Sequence, residues 1–272
     1  MASPVTDSVP AKTPKRRRRV AAAVVLVLLV AGMAAVRLDR YRKIPIDRAV
    51  NPMYWIRHWR GQDRFDPATG LLEHGNPDRR EVALTIDDGP DPRYLPQIAA
   101  YLKRENVPAT FFVVGTRVAQ HPEMVKMLAD DGFEIGNHTY DHQRLDHLKP
   151  HEIANELRIC SRHIRAITGR DTTLLRPPGV QYNAQVLRTA HALGYVTVSW
   201  TCGAKDYDSQ PAAFIADRIV DRTEPGSIIL LHQDNPSTLD ALPSIVGRLR
   251  AQGYRFVTIS QMLAGLGASA PK

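Results

Sequence analysis

Two aspartates, Asp87 and Asp88, stand side by side ahead of Gly89-Pro90, and two histidines four apart, His138 and His142, follow later in the chain. Adjacent carboxylates are costly if both are charged and unpaired. In a regular strand they would point to opposite faces, but the Gly-Pro turn ends that regularity and lets both reach one mouth. Asp-Gly-Pro is equally ordinary turn chemistry. The histidine spacing places both imidazoles on one face of a helical turn, able to converge on one ion. Two imidazole nitrogens plus one carboxylate make a three-ligand site with positions open for water and substrate, and the other carboxylate is then free to act as a base. Arg176-Pro177-Pro178-Gly179, Asp206-Tyr207 and His232 add an arginine, an aspartate and a third histidine. His147, His151, His163 and His191 fall on helical segments and read as surface or packing residues.

The elements that must position these groups begin at Arg79. Short apolar β-rich runs (VALTI, ATFFVV, FEIG, TLLR, YVTVSW, SIILL and YRFVTI) alternate with helical stretches, several of which stop at a glycine: Gly132, Gly169, Gly194, Gly253. Such endings suit helix C-termini. Seven strand–helix alternations predict a parallel sheet built from βα units, with strands apolar on both faces because helices cover them. Closed on itself, the sheet would be a barrel of seven strands instead of eight. Chemistry in such folds sits at the C-terminal edge of the strands. The first strand runs into Asp87-Asp88, the third into Asn137-His138, the fourth into Arg176 and the sixth into His232, so one rim collects the residues named above.

On these residues the chain resembles the polysaccharide deacetylases with a NodB-type domain, carbohydrate esterase family 4. Thr85-Ile86-Asp87-Asp88-Gly89-Pro90 is similar to the family's T-F-D-D-G-P segment, and His138-Thr139-Tyr140-Asp141-His142 fits H-[ST]-x-x-H. Arg176-Pro177-Pro178 matches the start of R-x-P-Y-G, Asp206-Tyr207 resembles the end of D-x-x-D-W, and Leu230-Leu231-His232 is similar to L-x-H. The resemblance implies a distorted (β/α)7 barrel and a metal-dependent deacetylase of an N-acetylated amino-sugar polymer. A membrane anchor at 20–36, which exports the domain to the cell wall, makes peptidoglycan N-acetylglucosamine the first substrate, with chitin-like oligomers and secreted poly-N-acetylglucosamine as alternatives. The resemblance also implies that Asp88, His138 and His142 hold a divalent metal, Zn²⁺ first, with Co²⁺, Ni²⁺ or Mn²⁺ as alternatives. Asp87 would be the general base, oriented by Arg176, and His232 the general acid, paired with Asp206. Gly179 would offer an oxyanion N–H, while Leu230 and Tyr207 would line the acetyl pocket. Departures occur where the family Tyr and Gly of R-x-P-Y-G are Gly179 and Val180, and where the first Asp of D-x-x-D-W is Gly203. They motivate a competing reading, a catalytically silent glycan-binding module on the same fold; hydrolysis of another carbon–nitrogen bond is a third.

The remainder of the chain bears on location. Residues 1–19 form a Pro/Ser/Thr-rich tail ending in Lys15-Arg16-Arg17-Arg18-Arg19, and 20–36 are uncharged and apolar all round. That run reads as an uncleaved transmembrane anchor, long for a signal peptide although Gly32-Met33-Ala34 would suit cleavage. The denser basic cluster before it leaves the tail in the cytoplasm and the domain outside. Residues 37–78 read as a juxtamembrane spacer, and 79–267 as the deacetylase domain. The net charge of +8 arises from basic residues near the N-terminus, which excludes a nucleic-acid-binding surface and leaves the polymer and the membrane as partners. Cys160 and Cys202 lack the spacing of a zinc knuckle or redox pair and read as buried thiols.

Overall fold

The computed structural model describes residues 64–268. The expected tail, anchor and most of the spacer lie outside the described residues, among which no helix is long and apolar enough to cross a membrane. In chain order the elements are β1 (Phe65–Asp66), β2 (Leu71–Leu72), β3 (Glu81–Gly89), α1 (Leu95–Arg104), β4 (Thr110–Val113), α2 (Gly115–Gln120), α3 (Pro122–Asp130) and β5 (Glu134–Asn137). They continue with α4 (Pro150–Thr168), β6 (Leu174–Leu175), α5 (Ala184–Ala192), β7 (Val196–Val198), β8 (Cys202–Gly203), α6 (Ala212–Arg222), β9 (Ile228–His232), α7 (Pro236–Ala251), β10 (Arg255–Val257) and α8 (Ile259–Gly265). Each strand expected from the sequence is present, and the four glycines expected to end helices all have positive φ.

The strands form one sheet in the order β1-β2-β7-β6-β5-β4-β3-β9-β8, with β10 also paired to β3. All pairings are parallel except β1 with β2. The strand path is open, so the expected seven-stranded barrel is a half-barrel: β1 and β8, at its two ends, are two residues long and do not pair with each other. A second correction concerns the boundary at residue 79. Leu71 and Leu72 pair in parallel with Thr197 and Val198 of β7, and both leucines are buried. An apolar pair facing a free sheet edge gains more by joining it than by staying in solvent, so the sheet takes in residues assigned to the spacer.

Alternation along the strands separates two cores. Val82, Leu84 and Ile86 face the outer layer, where α1, α6 and α7 supply Ile98, Leu102, Ile215, Ile219, Leu242 and Ile245. Ala83, Phe112, Leu174, Val196, Val198 and Ile228 face inward, closed below by Ile259, Met262 and Leu263 of α8. The inner face is apolar at the N-terminal ends of the strands and turns polar toward their C-terminal ends. By the period of two, Ala83 is followed by Thr85 and Asp87, Leu174 by Arg176, and Ile228 by Leu230 and His232. The sheet delivers its chemistry to one mouth through this periodicity.

Candidate active site and metal centre

The two neighbouring aspartates reach the same mouth because β3 is irregular there. Ile86 pairs with Phe111 and Gly89 with Val113, so three residue steps on β3 match two on β4. The extra residue is a bulge, and Asp88 within it takes a left-handed φ of +67°. Asp87 keeps the inward direction set by Thr85. Gly89 is required by a close approach: a Cβ there would meet the amide nitrogen of Gln233 at 1.8 Å. That fully buried amide accepts from Asp91 N–H at 3.2 Å and donates to Asp87 O at 3.4 Å. Arg117 of α2 donates to the Asp88 carbonyl from the other side.

Asp88, His138 and His142 converge. Asp88 Oδ1 lies 3.2 Å from His138 Nε2 and 3.0 Å from His142 Nε2, and the three ligand atoms all lie within 4.8 Å of one another. Asp88 Oδ1 is buried yet makes no hydrogen bond. An orphaned buried carboxylate oxygen between two imidazole nitrogens has the chemistry of an incomplete coordination sphere. Donors set tetrahedrally at about 2.0–2.1 Å from zinc stand roughly 3.3 Å apart, close to the separations found here. His138 Nδ1 donates to Arg176 O at 2.6 Å, an orientation that turns Nε2 toward the site and, in the neutral ring, makes it the free nitrogen. Burial opposes the charge of Asp88, but the two imidazoles prevail and hold it far below the ordinary carboxylate range. Asp88 in turn raises the pKa of His142.

The two histidines do not share a helical turn, contrary to the sequence reading. Residues 138–142 form an irregular loop in which Thr139 and His142 have φ of +67° and +65°. The loop is held by side-chain bonds in place of helical ones: Asn137 Oδ1 accepts from Thr139 N–H at 2.8 Å and Thr139 Oγ1 from His142 N–H at 3.1 Å. Seven non-glycine residues among those described have positive φ, and six of them, all but Asn106, lie on or within two residues of a residue of the site. Such conformations cost on the order of 1–3 kcal/mol each, so the surrounding contacts must outweigh them.

Asp87 and Arg176 form the floor. Arg176 is fully buried, and its Nη1 donates to Asp87 Oδ1 at 2.8 Å and to Thr85 Oγ1 at 2.6 Å. Its Nη2 reaches Ser199 O at 3.0 Å, and the guanidinium lies 4.3 Å above the Phe112 ring. Burial lowers the guanidinium's pKa while Asp87 opposes that. Asp87 Oδ2 is directed toward the candidate metal ligands, 3.8 Å from His138 Nε2.

His232 is the direct cross-strand partner of Asp87. Its Nδ1 lies 3.0 Å from Asp206 Oδ1, and its backbone N–H donates to Asp206 Oδ2 at 2.6 Å. Thr238 Oγ1 also donates to Oδ2, at 2.9 Å. Burial works against protonation of His232, but the bond and charge of Asp206, with the fields of Asp87 and Asp88, lift its pKa to about 9. Tyr207 meets the His232 ring edge-on at 5.5 Å and is exposed. Leu230 lies two residues before His232, opposite Thr85. Gly179 sits in a 3₁₀ turn after Arg176-Pro177 at φ +59°, and Val180 follows at +53°. The left-handed geometry a glycine would adopt freely is kept by a valine. At Gly203 a Cβ would stand 3.3 Å from the Trp200 indole, a contact the ring would have to yield to by a few tenths of an ångström.

All ten residues singled out in the sequence thus occur on the strand ends or the loops that leave them. Sequence reasoning missed Thr85, Gln233, Arg117 and Thr238. Thr85 was accessible through the period of two from Asp87; the others bond main chain or carboxylate across long separations and leave no local signal. Cys160 and Cys202 are both buried thiols, as expected, and burial pushes Cys160 up to about 12.

Comparison with known proteins places the chain in a family. The polysaccharide deacetylase family matches residues 74–198. A peptidoglycan-N-acetylglucosamine deacetylase of Bacillus cereus is 36% identical over 201 residues, covering 72% of this chain and 94% of the relative. The peptidoglycan-N-acetylmuramic acid deacetylase PdaA of Bacillus subtilis is 32% identical, covering 70% and 73%. Among solved structures, the peptidoglycan N-acetylglucosamine deacetylase Bc1960 superposes with a TM-score of 0.71 at 31% identity, covering 75% of this chain and 95% of the other. BA3943 of Bacillus anthracis, described as a family 4 pseudoenzyme, gives 0.70 at 31% identity, covering 73% and 70%. From motif order, strand placement and these matches, the chain belongs to the polysaccharide deacetylases, the hydrolases of carbohydrate esterase family 4.

Proposed function

We propose that this chain removes acetyl groups from peptidoglycan, N-acetylglucosamine first, by metal-assisted amide hydrolysis outside the cytoplasm. The observation that carries the reading is the orphaned Asp88 Oδ1 between two imidazole nitrogens, with Asp87 and His232 paired across the adjoining strands. The B. cereus and B. subtilis relatives, both peptidoglycan deacetylases, support peptidoglycan as the polymer. The apolar 20–36 run and the basic residues before it support a membrane tether with the domain outside. Zn²⁺ is the first choice for the mixed imidazole–carboxylate site, with Co²⁺, Ni²⁺ and Mn²⁺ as alternatives.

A bound divalent ion supplies Lewis-acid activation of water and of the amide carbonyl. Asp87 takes the proton of the attacking water through Oδ2, because Arg176 occupies Oδ1; a placed base contributes on the order of 10²–10⁴-fold. The Gly179 N–H stabilises the oxyanion, a contribution of roughly 3–4 kcal/mol for such donors elsewhere. His232 holds its Nδ1 proton against Asp206 and presents the Nε2 proton to the sugar nitrogen. Its transfer as the C–N bond breaks releases acetate and leaves a free amine. Leu230 and Tyr207 receive the acetyl methyl.

A second reading is a silent glycan-binding module, favoured by the structural likeness to the BA3943 pseudoenzyme. The ligand set, base and acid are complete in this chain, which supports the enzyme. Acetate release from peptidoglycan and from chitin oligomers, with EDTA and after zinc is restored, separates the two. Asp87→Asn should keep zinc and lose turnover, while His138→Ala should lose both. Undiminished release in EDTA would exclude the metal step, and no release from any polymer would leave the silent module. Mass spectrometry of digested wall fragments then tells glucosamine from muramic acid by the sugar that loses its acetyl group.

A further inference from the structure

The loop that carries His142 takes its shape from the helix beneath it. Between the left-handed residues Thr139 and His142 the chain is in neither helix nor ladder, so its backbone N–H groups need other acceptors. Glu156 on α4 supplies them. Its Oε2 accepts from Tyr140 N–H at 2.9 Å and from Asp141 N–H at 3.1 Å. The same stretch of α4 receives the segment just before: Leu157 O and Ser161 Oγ accept from Asn137 Nδ2 at 2.8 and 2.9 Å. On the far side, Gly115 N–H and Thr116 N–H donate to Thr139 O and Tyr140 O at 2.9 and 2.7 Å. The loop is gripped from both sides, and among the described residues Glu156 is the side chain that accepts from both Tyr140 and Asp141 N–H, while the next N–H, that of His142, goes to Thr139 Oγ1. It lies one peptide from a ligand whose Nε2 must stay within about 3 Å of Asp88 Oδ1 for both to serve one ion.

We propose that Glu156 is a positioning residue of the metal centre: one carboxylate oxygen fixes the 140–141 peptides and thereby sets the His142 imidazole against Asp88 and His138. The inference rests on the metal reading given above and deepens it. Glu156 acts by reach, as a double acceptor, and its charge is secondary.

Zinc affinity of the metal-free protein, measured by competition with a chromophoric chelator, tests this, with thermal unfolding without metal as a check on the fold. Glu156→Ala is expected to weaken zinc binding by about 10–100-fold, the usual effect of removing a group that orients a ligand. Glu156→Gln keeps a carbonyl oxygen that can accept both N–H groups and should bind zinc within about threefold of the parent. Glu156→Asp keeps the charge and loses the reach, and should resemble Ala. Parental affinity in Glu156→Ala overturns the inference, as does tight binding by Asp with weak binding by Gln. If the Ala variant does not fold, the order of Gln and Asp decides alone. A parent protein that binds none of Zn²⁺, Co²⁺, Ni²⁺ or Mn²⁺ overturns the metal reading and this inference with it; a parent that binds zinc no better than its Glu156→Ala and Glu156→Asp variants overturns only the inference.

Discussion

Asp206→Asn separates the charge that keeps His232 protonated from the packing around it. The imidazole is mostly buried, and burial favours its neutral form. The Asp206 carboxylate, 3.0 Å from Nδ1, aided by the fields of Asp87 and Asp88, reverses that preference and lifts the pKa from 6.5 to about 9. The lift corresponds to roughly 3 kcal/mol in favour of the imidazolium. At pH 7 the parent His232 is almost wholly protonated and ready to donate. With asparagine the desolvation remains and the largest opposing charge is gone, leaving only the weaker fields of Asp87 and Asp88, so the pKa falls well below that of the parent. The assay is kcat/KM for acetate release from pH 5 to 10 with zinc saturating. A nearby divalent cation lowers the alkaline limb of both proteins together, so the quantity read is the displacement between them, expected toward acid by more than about one pH unit. Coincident limbs would refute the role of Asp206. Stability moves in parallel. Because the folded pKa is raised, the contribution of the pair is full below pH 6.5 and is lost as pH rises through about 9. The variant's deficit in urea unfolding should therefore shrink from pH 6 to pH 10.

Arg176→Met leaves Asp87 buried without its partner and should cost about 3–5 kcal/mol in urea unfolding; adding Asp87→Asn, which removes the orphaned charge, should restore part of it. Unchanged stability in the single variant would refute the buried pair. Val180→Gly relieves a branched side chain at φ +53° and should raise stability by about 0.5–1 kcal/mol; a loss would argue against the left-handed turn. Gly89→Ala drives a Cβ into the Gln233 amide and should lower stability by roughly 1–3 kcal/mol, much of it recovered when Gln233→Ala is added.

Much of this architecture can be read from residue order. The strand cores are short apolar runs, and their period of two carries Thr85, Asp87, Arg176, Leu230 and His232 to one face. The metal triad was legible through its family-like spacing, but its geometry was not. Four-residue histidine spacing suggests a helix, and here Asn137, Thr139 and α4 impose a loop with two left-handed residues. The route of Asp88 into the mouth depends on a bulge, which is a property of pairing with β4 and leaves no mark on β3 alone. Residues 65–72 were assigned to a spacer because two-residue strands have no detectable period. Nothing local in Arg176-Pro177-Pro178-Gly179-Val180 announces the left-handed φ of Val180, whose N–H donates to Pro177 O at 2.8 Å and closes the turn.

The β1–β2 hairpin has a practical corollary for anyone trimming this chain. Thr197 N–H and Ser199 N–H donate to Gly70 O and Leu72 O, both at 2.8 Å, so the hairpin shields a border that would otherwise be bare. A fragment cut at Arg79 would lose those acceptors and pull Leu72 out of the inner core. The stripped β7 margin would then be a template for a second copy, and such a fragment should precipitate or self-associate while one that keeps residue 64 stays monodisperse.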